Sequence, residues 1–277
     1  MLASPLPPLI ATLALLWLAR RELTATTLIG PWVWSMTAVA FWAAIELWLA
    51  QSPETAAEPW RYLAVVGTFC PMMAVMGAKR PQDRGWQWIV LSLWIVLAIP
   101  VGQHQLFTSG QPFNVFAAWL LFLAVLLALE LLNYLPTRHA GSVLLVAAAQ
   151  CLLVGDSIDR KSFGPHGATI AAWFLFTAVG LAWVLSQGAA SFLAPDPRPL
   201  TPTHHWLQFR NAFGAFWALR VLQRVNQTAE VQDWPVRLEW SGFRELPDRH
   251  DAPPADEIDQ CLQTLLRRFV AMQDDLA

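Results

Sequence analysis

Apolar residues fall along this chain in long unbroken stretches, at about 5–19, 28–50, 60–77, 86–101, 113–135, 140–155 and 167–187. A bilayer core about 30 Å thick takes roughly 20 apolar residues at 1.5 Å rise, and shorter runs are accommodated by local thinning or snorkelling. The pattern predicts an all-α membrane protein with a bundle of about seven transmembrane helices. The number falls to six if the first run, short and opened by Pro5, Pro7 and Pro8, does not span.

Beyond this bundle, expected over 1–187, the pattern changes. A proline-punctuated stretch, "APDPRPLTPTHH", cannot continue a helix and predicts a linker over 188–205. Residues 206–277 then form a tail module. Trp206, Phe209, Phe213, Phe216 and Trp217 stand at helical spacing. Arg198, Arg210, Arg220 and Arg224 accompany them against the single acid Asp196, so this helix suits either an anionic membrane surface or a packed face. Val236, Leu238 and Trp240 alternate with Arg237, Glu239 and Ser241, the period of a strand, with no equally clear partner strand in view. Residues 244–255 read as a linker. The last segment is an amphipathic helix with Ile258, Cys261, Leu262, Leu265, Leu266, Phe269 and Val270 on one stripe, and that stripe needs a cover. The aromatic helix, a second copy or another protein would each provide one.

Composition supports the membrane class. The chain is 56% hydrophobic and 14% charged, where soluble domains carry about a quarter charged residues. Sixteen tryptophans stand against two tyrosines. Trp32, Trp34, Trp86, Trp88 and Trp183 fall at one set of helix ends and Trp48 and Trp60 at the other, as interfacial rings do, while Trp42 and Trp94 lie deeper. The basic residues Arg20, Arg21, Lys79, Arg80, Arg84 and Arg138 follow odd-numbered runs, and the opposite loops hold only Arg61, Arg160 and Lys161. This bias predicts an N-terminus outside and the tail in the cytoplasm, as for an integral protein of a bacterial inner membrane. The first run lacks a basic segment before its apolar stretch and reads as a retained helix rather than a signal peptide.

Several residues are candidates for chemistry. Glu46 and Glu130 are acids inside apolar runs, each within reach of an interface; snorkelling or helix pairing is the simpler expectation for both. Asp156, Asp159 and His166 could hold a cation or serve as an acid–base set, but Arg160 and Lys161 would neutralise them, so a salt-bridged loop is the simpler expectation. Cys70 and Pro71 sit near the middle of the third run, where proline cannot donate to the carbonyl of Gly67 and a kink is expected. The neighbouring methionines face different ways from Cys70, so no metal is expected, and no cofactor either. Both lysines lie in loops, which excludes a retinal-type Schiff base, and no histidines face each other across the bilayer to ligate haem. Nucleotide-loop, serine-hydrolase and zinc-protease motifs are absent. Residues 229–277 are predominantly acidic, which argues against nucleic acid as a partner.

Two functions fit these features. One is a non-catalytic sensor, scaffold or assembly protein that binds a partner, or itself, through residues 256–273. The other is a transporter or lipid-substrate membrane enzyme built around the kinked third helix, with Glu46, Glu130 or the 156–166 loop supplying polar groups. The second reading requires a mid-membrane cavity reaching Pro71.

Overall fold

The computed structural model describes residues 4–51, 57–107, 113, 115–158, 166–192, 202–246 and 255–270. Asp159 of the predicted acid–histidine loop lies outside them, as do residues 193–201 of the predicted linker. The chain folds as α1 Leu6–Leu23, α2 Ile29–Leu49, α3 Ala57–Gly67, α4 Cys70–Met76, α5 Asp83–Leu97, α6 Ile99–Phe107, α7 Ala117–Tyr134, α8 Ala140–Ile158, α9 Gly167–Phe192, α10 Pro202–Val231, β1 Val236–Glu239, β2 Gly242–Glu245 and α11 Ala255–Leu266.

The all-α class holds. Among the described residues, four stretches are long and apolar enough to cross a membrane: Ile29–Leu49, Asp83–Phe107, Ala117–Tyr134 and Gly167–Ser186. Ala140–Gly155 is a shorter apolar helix. The expected number of about seven spans is not reached on this measure, because α1 carries its arginines inside the helix and the third run is broken. Large apolar side chains such as Leu18, Leu47, Ile95, Leu121 and Leu132 are exposed on the bundle's outer surface, an arrangement suited to lipid. Small buried residues, Ala147 and Ala149 of α8 with Ala171, Ala172 and Ala178 of α9, let those neighbouring helices approach closely.

The break in the third run is sharper than a kink. Helix α3 stops at Gly67, Thr68 and Phe69 form a turn, and α4 restarts with Pro71 in its first turn, where a missing N–H costs nothing. The Thr68 hydroxyl donates to the Val65 carbonyl at 2.6 Å, and Gln150 Nε2 of α8 donates to the Thr68 carbonyl at 3.3 Å. A neighbouring helix thus answers one carbonyl of the interrupted turn, that of Thr68. A similar break separates α5 from α6 at Ala98, two residues before Pro100.

At one end of the bundle lie the α1–α2, α4–α5 and α7–α8 turns, and the tail packs across them. Thr27 N donates to Phe269 O at 3.0 Å and Thr27 Oγ1 to Ala78 O at 2.7 Å. Arg80 N donates to Arg268 O at 3.0 Å, and Trp240 Nε1 to Pro136 O at 2.9 Å. Phe269 lies within 4.8–5.2 Å, centroid to centroid, of Phe209, Phe213 and Trp217, and this aromatic cluster continues into the bundle through Leu28, Val75 and Ala78.

Several tail expectations change in detail. Strand β1 does have a partner: β2 pairs with it antiparallel, with Leu238 opposite Phe243, and its second half, Arg244 and Glu245, falls in the stretch that reads by sequence as a linker. Four residues with two charges are too few to show a strand's period. Asn226 fixes the hairpin on α10, accepting from Leu238 N at 2.8 Å and donating to Leu238 O at 2.9 Å. The terminal stripe is covered from within the chain, Ile258 by Ala229, Trp234 and Val236, and Leu262 by the α10 core. Val270 leaves the stripe because α11 ends at Leu266 and a short 3-10 turn follows; it is half-exposed and forms a bridge with Thr26.

Candidate functional site

A cavity of about 710 Å³ lies between α1, α2, α4, α7, α8 and α9, with α10 across its end. That volume falls within the roughly 300–1,000 Å³ usual for small-molecule sites. Its walls are mainly apolar, including Leu16, Val39, Val143, Val146, Val179 and Ala182. Polar groups are gathered at two levels. Toward the middle stand Thr68 and Glu130, next to Pro71; at the tail end stand Tyr134, Arg138, His139, Ser142, Gln208 and Asn211.

The roof is positioned by a break in α10. Gly214 has φ 75° and ψ −177°, a conformation that side-chain-bearing residues rarely adopt. A Cβ there would stand 2.2 Å from Asn133 Nδ2. The absent side chain lets Asn133 of α7 reach the interrupted helix, where its Oδ1 accepts from Phe216 N at 2.8 Å. Tyr134 OH donates to Ala212 O at 3.2 Å, and Trp217 Nε1 donates to Val75 O at 2.9 Å. Asn211 Oδ1 accepts from the Arg138 backbone N–H at 3.4 Å and from Arg210 Nη2 at 3.0 Å.

The sequence candidates separate clearly. Pro71 and Glu130 line the cavity. Glu130 is 8% exposed and leaves Oε2 without a partner among the described residues. Glu46 is away from the cavity, with its carboxylate held by Arg61 Nε at 3.0 Å, Arg61 Nη2 at 3.1 Å and Trp42 Nε1 at 3.3 Å. It is a helix-pairing acid. Cys70 is buried against Ala74, Val90, Trp34 and Trp94, as a small hydrophobe is. His166 is exposed just before α9, and Asp156 lies in the last turns of α8. Among the described residues no group of histidine, cysteine and acidic side chains could hold a metal ion.

The tail-end polar cluster was not singled out by sequence. Arg138 served only to set topology, yet "NYLPTRHAGS" brings Asn133, Tyr134, Arg138, His139 and Ser142 within ten residues around the turn that joins two apolar runs. That density of donors beside a long apolar helix was the available signal. Arg138 Nε donates to His139 Nε2 at 3.3 Å. With Nε2 accepting, the neutral ring carries its proton on Nδ1. Burial, helped by the charge of Arg138, pushes the His139 imidazole down to about 4, so it is neutral at physiological pH. Burial lowers Arg210 as well, with Arg138 adding repulsion, so the guanidinium groups are near neighbours.

No family model matches this chain, and neither a curated protein nor a solved structure matches it.

Proposed function

We propose that this chain is a multi-pass membrane protein that binds an amphiphilic small molecule, as a transporter or lipid-substrate membrane protein does. The hydrocarbon part lies along the apolar walls and the polar end beneath α10. The cavity carries this reading: it reaches Pro71 and Glu130, as a site built around the broken third helix requires. The scaffold alternative draws less support, because much of the terminal stripe is covered by the chain's own α10 and hairpin.

The finer threading belongs to the same proposal. Seven passes, counting α3 with α4 and α5 with α6, bring the turns holding Thr27, Lys79 and Arg138 to the end where the tail packs. The basic bias makes that end cytoplasmic and leaves the N-terminus outside.

Mass spectrometry of an organic extract of the purified protein is the direct test. A retained amphiphile is expected, and it should be lost from Ala182→Trp, whose added bulk occupies the cavity. A well-folded protein that retains none, and takes up none when single-chain lipids are added, would remove this reading. A reporter fused to the C-terminus should be active only in the cytoplasm, and periplasmic activity would overturn the threading.

A further inference from the structure

The tail end of the cavity has an excess of hydrogen-bond donors. The Arg138 guanidinium spends Nε on His139, and its Nη atoms bond no described residue. His139 Nδ1 is buried and has no partner among the described residues, and as the protonated nitrogen it is a donor. Ser142 is 6% exposed, and its hydroxyl also lacks a partner among the described residues. All three residues line the cavity. His139 and Ser142 are three residues apart where α8 begins, so they share a face of that turn. The start of a 19-residue helix adds a partial positive potential in the same place.

Among the described residues no acid pairs with this group. Among the described residues Arg138 makes no ion pair, and the nearby Arg210 is committed to Trp240 O at 2.7 Å and to Asn211. Buried donors without acceptors are costly, and a guanidinium, a hydroxyl and an imidazole N–H all suit one oxyanion. Glu130, the acid on the cavity wall, lies two helical turns before Arg138 in sequence, toward the middle of the bundle.

We propose that Arg138, His139 and Ser142 form an oxyanion subsite that binds the phosphate or carboxylate headgroup of a single-chain amphiphile whose tail occupies the apolar arm of the cavity. This rests on the amphiphile-binding reading above and adds the ligand's chemical class. The apolar arm supplies chain affinity common to neutral and acidic lipids, so discrimination between them falls to this subsite. Arg138 gives charge and directional donors; Ser142, held by α8, gives a fixed one.

Native mass spectrometry of the full chain in detergent, titrated with lysophosphatidic acid, the matched monoacylglycerol and inorganic phosphate, tests the subsite. Lysophosphatidic acid should bind at least about tenfold more tightly than monoacylglycerol, a difference expected from one charge-assisted hydrogen bond. Arg138→Gln should erase most of that preference, with lysophosphatidic acid losing far more affinity than monoacylglycerol. Ser142→Ala, which removes only a hydroxyl, should reduce the preference severalfold with the fold intact. Equal binding of both lipids, or a preference that survives both substitutions, would overturn the subsite while leaving the cavity reading in place. Failure of both lipids to bind would overturn the subsite and the cavity reading together. Inorganic phosphate binding as tightly as the lysolipid would identify a free anion as the ligand and overturn the headgroup assignment.

Discussion

At the residue scale, Arg61 and Glu46 illustrate how the bundle handles charge. Glu46 is 5% exposed, and Arg61 grips both of its oxygens from a helix that starts near the far end of α2. Arg61→Ala leaves a buried carboxylate with only Trp42 beside it. The expected loss is about 3 kcal/mol, the lower end of the range for a broken buried pair because Arg61 is partly exposed. Thermal melts in detergent should show this, with most of it recovered in Arg61→Met combined with Glu46→Gln. His139 gives a pH signature. Its folded value, about 4, lies below the ordinary 6.5, so the unfolded chain takes up a proton first as pH falls. Its contribution to stability is complete above about pH 6.5 and is lost as pH drops toward 4. His139→Gln should flatten that part of the melting-temperature profile.

Elements show both the reach and the limits of what sequence conveys. The proline break in the third run was legible because Pro71 forbids a specific hydrogen bond whatever its surroundings. Its consequence, a turn capped by Gln150 eighty-two positions away, was not, since nothing local marks Gln150 as the partner. Gly214 carried even less signal: "AFGAF" reads as one glycine in an amphipathic helix, yet it breaks α10 at the point where Asn133 enters. Gly214→Ala should cost about 1–3 kcal/mol in backbone strain alone, plus whatever the Asn133 contact requires to move. Limited proteolysis should report faster cleavage within α10. Asn133→Ala made together with Gly214→Ala should relieve the clash but retain the strain.

For the whole molecule, hydrophobic runs conveyed the all-α class and the order of the apolar helices, because bilayer thickness imposes a length on such runs. They could not convey that the tail closes one end of the bundle. An amphipathic stripe states that a face will be covered and is silent about which surface covers it, so Ile258 and Leu262 fitted an outside partner as well as α10. The polar end of the cavity was hidden for a related reason: Ser142 and Asn211 are unremarkable alone and meet only after folding. Because Leu28, Val75 and Ala78 belong to the same buried cluster as Trp217 and Phe269, bundle and tail share a core. They should unfold together, and two separated transitions in calorimetry would contradict that coupling.

Chains are made from the N-terminus onward, so every helix that walls the cavity is synthesised before α10. Until Gly214 settles against Asn133, the slot opens at the end of the bundle, and an amphiphile already lying among the helices needs no gate to enter. If an amphiphile is the ligand, its first chance to load comes before α10 folds across the cavity, so the lipids met during synthesis join those added later in setting what the protein holds.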